Sequence, residues 1–280
     1  MKIQELNPSI AGYPLHRLLL TPDPEVALKG SLLFFHGQGD FIDRYPPILE
    51  NFVQAGYQCL LTDFPGHGQS TGRRGVVPGF KIVDQIIADS LAHLDKTSGP
   101  TIIAGHSMGG LMALRYFLQE PDRFAAAWFS SPLLDPMEQA KPWMRILLPM
   151  ASHLLPWLRV STGVSAQDCG EQNDGSSVRS EESKPLYHNR ISLLWGRQLA
   201  QAAEELSEQF PNFPTKIPIL FTQGSDDPVC PAETLRTRLA KLPKNKISYQ
   251  EISQAKHEPF TGQTSEEFIE ILKEWIQKTL

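Results

Sequence analysis

The apolar positions of this chain fall into two alternating rhythms. Six runs read as strands, Ser31–His36, Tyr57–Asp63, Thr101–Gly105, Phe124–Ser130, Ile217–Gln223 and Lys246–Ile252, and the first of them, Ser31-Leu32-Leu33-Phe34-Phe35-His36, is a continuous apolar run. Runs of this length without polar alternation predict strands covered on both faces. Between them the period changes to that of a helix. Ile82, Val83, Ile86, Ile87, Leu91 and Leu94 form one stripe over residues 80–95, and Met108–Gln119 follows the third run. Pro231–Leu242 follows the fifth run, and Phe268, Ile269, Ile271, Leu272, Trp275 and Ile276 give the stripe of a closing helix over 265–278. A further helix is expected near Ile48–Ala55, and residues 15–20 predict an early strand paired antiparallel with a short one near Ile3. Strands alternating with helices imply an α/β fold, a mostly parallel sheet with crossover helices.

The rhythm breaks between about Pro132 and Pro214. Apolar pieces interrupted by proline, Lys141–Met150 and His153–Leu158, give way to a polar stretch from Ser161 to Lys184 that is expected to be mobile, and then to a helix over Ile191–Glu208. The expected organisation is a core of residues 1–131 and 215–280 with a helical lid inserted at 132–214. An insertion at this point would overhang the end of the third apolar run.

That run ends in Gly105-His106-Ser107-Met108-Gly109, a Gly-x-Ser-x-Gly pattern. A Gly-rich turn carrying a surface serine would meet the pattern equally well. The strand before it and the helix after it favour a strained turn that lifts the Ser107 hydroxyl off the sheet. Such a turn sets the Met108 N–H at a helix N-terminus, where it can face developing negative charge. A second Gly turn, His36-Gly37-Gln38-Gly39, ends the first run, and the Gln38 N–H is the candidate second donor.

A serine hydroxyl needs a base, and the base needs an acid to fix its tautomer. Of the eight histidines, His257 follows the last strand, where its loop can fold back across the sheet edge. His67, in the Gly- and Pro-rich loop 64–75, is read as structural. Asp226 and Asp227 both follow the strand before, giving the order serine, acid, histidine expected of a nucleophile on this kind of turn.

The residues His36-Gly37-Gln38-Gly39, Asp63, Gly66-His67-Gly68-Gln69-Ser70, Gly105-His106-Ser107-Met108-Gly109-Gly110, Gly224-Ser225-Asp226-Asp227 and His257 together resemble the α/β-hydrolase fold and, within it, the monoglyceride lipase and lysophospholipase group. The likeness runs from about residue 10 to 278 and is weakest in the inserted segment. It implies Ser107, Asp227 and His257 as nucleophile, acid and base. Asp227 is preferred to Asp226 because its Asp-Pro-Val step matches the motif. The backbone N–H groups of Gln38 and Met108 would form the oxyanion hole. The implied reaction is ester hydrolysis through an acyl-serine, on a single-chain lipid ester, with no metal or organic cofactor. Alternatives are a carboxylesterase, amidase or peptidase for small soluble substrates and, remotely, a non-catalytic binding protein. Trp143, Leu147, Leu154 and Leu158 are candidates to line an acyl-chain site or to touch a membrane surface transiently; packing onto the core is an equal reading. Cys230, three residues after Asp227, is expected to let thiol reagents block the site.

Composition narrows the partners. The 280 residues are 41% hydrophobic, and 26 Lys and Arg against 31 Asp and Glu give a net charge of −5. With no basic run beyond Arg73-Arg74, no nucleic-acid surface is expected. No stretch of 18 uninterrupted apolar residues predicts a membrane span. Three scattered cysteines and an N-terminus without an apolar signal core lead to the expectation of a cytoplasmic protein, at most peripheral to a membrane.

Overall fold

The structure is a computed structural model that describes residues 1–95, 99–138, 142–170, 184–213, 216–242 and 247–280. The strands are β1 (Lys2–Leu6), β2 (Ser9–Ile10), β3 (Tyr13–Pro14), β4 (Arg17–Thr21), β5 (Gly30–Phe35), β6 (Tyr57–Thr62), β7 (Thr101–His106), β8 (Ala126–Ser130), β9 (Arg159–Ser161), β10 (Arg190–Ser192), β11 (Ile219–Gly224) and β12 (Ile247–Ile252). The α-helices are α1 (Pro46–Gln54), α2 (Phe80–Leu94), α3 (Met108–Gln119), α4 (Pro142–Leu154), α5 (Ala166–Cys169), α6 (Leu193–Gln209), α7 (Ala232–Leu239) and α8 (Ser265–Thr279).

Eight strands form one sheet in the order β1-β4-β6-β5-β7-β8-β11-β12. β1–β4 and β4–β6 pair antiparallel, as expected for the early strand, and every other pair is parallel. Side chains alternate across the pleat. Leu33, Phe35, Ile103, Phe129 and Phe221 enter one cluster, beneath α2, α3 and α6. Leu32, Phe34, Ile102, Trp128 and Leu220 enter the other, with α1 and α8. On α8 the buried positions Phe268, Leu272, Trp275 and Ile276 face the sheet, each worth roughly 1.5–3 kcal/mol of burial. The chain winds outward from β5 in both directions, to β6 on one side and β7 on the other. The crevice at the C-terminal ends of β5 and β7 is therefore the switch point where such sheets receive ligands.

The segment between β8 and β11 departs from expectation in four ways. α4 is one helix with Pro149 inside it rather than two pieces parted by proline. Pro149 forgoes a bond to the carbonyl of Arg145, but Arg145 is exposed and water can serve that carbonyl. Within the polar stretch, residues 161–170 include the short helix α5, with Ser165 and Asp168 closing a capping box; residues 171–183 lie outside the described residues. β9 and β10 pair antiparallel where no strand was expected. Two three-residue strands, paired across some thirty residues of chain, are too short to show a period. Finally, α6 starts at Leu193 because Ser192 caps it, its hydroxyl accepting the Trp195 N–H at 3.3 Å. α6 also buries Trp195, Leu199, Ala202, Ala203 and Leu206 in the same cluster as Leu111 and Met112 of α3.

Candidate active site

Ser107 is the single residue between β7 and α3, with φ 55° and ψ −119°. A non-glycine residue held there costs about 1–3 kcal/mol. The surroundings fix it: Ser107 N–H donates to Ser130 O at 3.0 Å, and Ser107 O accepts from Leu111 N at 3.0 Å and Leu133 N at 3.1 Å. The flanking glycines are required by close approach. A Cβ on Gly105 would lie 2.3 Å from Gly109 O, and one on Gly109 would lie 2.1 Å from Phe35 O.

The loop after β12 brings His257 to this turn. Its Nε2 is 2.8 Å from Ser107 Oγ and its Nδ1 is 2.8 Å from Asp227 Oδ2. Asp227 follows β11 and is held from two sides. Its Oδ1 accepts the N–H groups of Val229 and Cys230, both at 2.8 Å, and its Oδ2 accepts Gln223 Nε2, also at 2.8 Å. Of the two adjacent aspartates, Asp227 is buried and faces His257, whereas Asp226 is exposed and accepts the Ser225 hydroxyl. Burial opposes charge on His257, but the Asp227 carboxylate outweighs it, so the imidazole titrates above its ordinary value.

Gln223 was not singled out from the sequence. It is a buried amide that donates to both Asp227 Oδ2 and Cys230 O, tying Asp227 to its own loop. Its one trace in the sequence is a polar side chain near the end of a largely apolar strand, four residues before Asp227.

The turn after β5 sits against the serine: a Cβ on Gly37 would be 3.4 Å from Ser107 Cβ. His36 Nδ1 lies 2.8 Å from Gly37 O, and its Nε2 accepts Phe64 N–H at 3.1 Å, which places the proton on Nδ1. The Gln38 side chain donates to Arg190 O at 3.0 Å, and His188 N–H donates to Gly39 O at 3.1 Å. Gly39 has φ 76°, and a Cβ there would lie 1.8 Å from His188 O. The segment before β10 is thus laid directly on this turn. Met108, as first residue of α3, has an N–H with no intrahelical acceptor. Its Sδ accepts the Trp195 indole N–H at 3.3 Å, which packs α6 onto the elbow.

The side chains of the other singled-out residues take no part in these contacts. His67 is buried, its ring 5.1 Å from that of His36 and 4.8 Å from that of His188. Burial and its histidine neighbours hold it neutral, well below the usual imidazole range. Leu147, Leu154 and Leu158 are exposed, Leu154 at 81%; the Trp143 side chain lies outside the described residues. Cys230 is buried, and burial together with Asp227 pushes its thiol well above the usual range. The expected block by thiol reagents therefore lacks an accessible thiolate to start from.

Residues 27–263 match the profile of the family described as serine aminopeptidase, S33. The chain is 28% identical over 200 residues to phospholipase YtpA of Bacillus subtilis, covering 70% of this chain and 75% of that protein. It is also 28% identical over 268 residues to an uncharacterized abhydrolase domain-containing protein of Dictyostelium discoideum, of whose length this chain spans only 28%. Among solved structures, the monoacylglycerol lipase of Paleococcus ferrophilus superposes with a TM-score of 0.82 at 27% identity, covering 94% of this chain and 98% of that one.

Proposed function

This chain belongs to the α/β-hydrolase family described as serine aminopeptidase, S33, and from that premise we propose that it hydrolyses carboxylic esters, of single-chain lipids first, through an acyl-Ser107 intermediate. The observation that carries the reading is the continuous pair of 2.8 Å contacts from Ser107 Oγ through His257 to Asp227. His257 Nε2 takes the hydroxyl proton as Oγ attacks the ester carbonyl. The Asp227 carboxylate holds Nδ1–H and stabilises the imidazolium. The N–H groups of Gln38 and Met108 hold the oxyanion, each worth about 3–4 kcal/mol. The proton then passes to the leaving alcohol, and the same imidazole activates the water that releases the acid.

The family description keeps peptide chemistry in view. An aminopeptidase must hold a substrate ammonium, and the carboxylates of Asp40 and Glu258, near His257, are instead engaged by Arg44. This favours neutral esters. Residues 132–214 act as a lid in this reading. The chain has no Asp or Glu between Glu138 and Asp168, and there Met150, Leu155 and Trp157 are exposed beside Leu154. An apolar, weakly basic surface of this kind suits transient contact with a lipid interface. Among the described residues no helix is long and apolar enough to cross a membrane.

Three measurements follow. With p-nitrophenyl esters of short, medium and long chain, kcat/KM is expected to rise toward the longer acyl groups, and activity confined to acetate and butyrate would refute the lipid reading. Because His257 must be unprotonated to accept the proton, and the Asp227 carboxylate raises its titration above the ordinary imidazole value, kcat/KM is expected to fall toward acid pH with a limb displaced upward; the absence of an acidic limb counts against His257 as base. Leu155→Asp and Trp157→Asp are each expected to reduce sedimentation with phosphatidylglycerol-containing vesicles by roughly tenfold or more, since about 1.5–3 kcal/mol of apolar burial is lost, with hydrolysis of a soluble butyrate ester retained. Equal sedimentation of the variants and the parent would remove the lipid contact from this face.

A further inference from the structure

Arg44 ends a helical turn, Ile42–Arg44, just beyond the His36–Gly39 turn. Its guanidinium is buried between carboxylates from distant parts of the chain. Nη1 donates to Asp40 Oδ1 at 2.9 Å and to Glu258 Oε1 at 3.1 Å, and Nη2 donates to Glu258 Oε2 at 2.5 Å. The Tyr45 hydroxyl donates to Asp40 Oδ2 at 2.6 Å, Phe41 N–H donates to Asp40 Oδ1 at 2.8 Å, and the Tyr187 ring lies 5.2 Å from the guanidinium. Asp40 N–H closes the turn that holds Gln38, reaching Gly37 O at 3.4 Å. Glu258 is the neighbour of His257. One planar fork therefore joins the turn carrying an oxyanion donor to the loop carrying the base.

Desolvating these three charges is costly, and apolar residues of similar size would fill the space. Their placement argues for geometry: a guanidinium fixes two carboxylates in direction as well as distance, which an ammonium cannot do. We propose that Arg44, through Asp40 and Glu258, is a positioning residue that keeps the Gln38 turn and the His257 loop at one separation. The cluster also acts on the charge of His257. Two carboxylates face one guanidinium, so one negative charge remains. The groups around His257 are Asp227 from the loop after β11, Glu258 and Lys256 from its own loop, Asp40 and Arg44 from the segment after β5, His106 from the end of β7, and Asp168 of α5, whose carbonyl accepts His257 N–H. Asp227 acts most strongly, and Glu258 and Asp40 act in the same direction. Lys256 turns away to Gln167 O, and burial keeps His106 neutral.

This inference rests on the reading of Ser107 as the nucleophile, and the test separates the two. In Glu258→Gln, kcat is expected to fall roughly tenfold to a hundredfold through misplacement of the reacting groups, with KM nearly unchanged and the acidic limb of kcat/KM moved to lower pH. Glu258→Asp keeps the charge and changes only the reach, so kcat falls while the limb stays. Arg44→Lys, measured in parallel, keeps a cation in the same space; its kcat is expected to fall at unchanged KM, and it serves as the reading should Glu258→Gln fail to fold. Wild-type kcat and limb in a folded Glu258→Gln or Arg44→Lys, alongside an inactive Ser107→Ala, would overturn the positioning role alone. Turnover surviving in Ser107→Ala would overturn the reading beneath it.

Discussion

Ser107→Ala is expected to lower kcat by roughly 10⁴- to 10⁶-fold, with a fold and melting temperature close to those of the parent protein. In the proposed reaction the side chain contributes an attacking oxygen and little packing. The backbone that holds the turn is bonded through Ser107 N and O rather than through the hydroxyl, so it survives the substitution. Alanine carries the same Cβ as serine, and the strain at φ 55° is neither relieved nor increased. What remains is a site with both N–H donors and an idle base, which supports at most the residual rate of an oxyanion hole. Rate and covalent labelling should vanish together: a fluorophosphonate that adds its mass to the Ser107 peptide of the parent protein should add none to the variant. Turnover above about one part in a hundred of the parent rate would place the nucleophile elsewhere.

The elements that position this serine were legible because each is dictated locally. β5 and β7 are buried at nearly every position and carry consecutive apolar residues, Leu32–Phe35 and Ile102–Ala104, as buried parallel strands do. The Gly105 and Gly109 contacts leave no room for a side chain, so the elbow is written in consecutive letters. Ser107, Asp227 and His257 are each signalled by a strand end. Residues that act across the fold left no such mark. Gln223 and Arg44 are ordinary polar residues until β11 and the turn after β5 bring them to Asp227 and Glu258. The choice between Asp226 and Asp227 needed a likeness to a family, because which of two adjacent carboxylates turns inward depends on the loop, not the spacing. The β9–β10 ribbon and the continuation of α4 through Pro149 were unreadable for a related reason: tertiary packing overrides a weak local preference.

Asp227→Asn is expected to lower kcat by about 10⁴-fold while changing shape hardly at all. The reasoning is one of donors and acceptors. Val229 N–H and Cys230 N–H both point at Oδ1, so the amide oxygen of asparagine is drawn to that side. Its NH₂ group then takes the place of Oδ2, facing His257 Nδ1 and the amide nitrogen of Gln223. Two NH₂ groups oppose each other there, and His257 Nδ1 becomes an acceptor. Its proton must sit on Nε2, where it points at Ser107 Oγ, and the imidazole can no longer take the hydroxyl proton. The loss of the carboxylate also removes the largest influence favouring the charged imidazole, so the acidic limb of whatever activity remains should move to lower pH. Gln223→Leu separates orientation from charge: it spares the carboxylate and deletes one of its donors, so a loss nearer tenfold is expected, with the limb displaced upward if at all, because a less solvated carboxylate holds the imidazolium more strongly. An Asp227→Asn variant within tenfold of the parent would transfer the acid's role away from this carboxylate, and the neighbouring Asp226 is exposed and turned to the Ser225 hydroxyl instead.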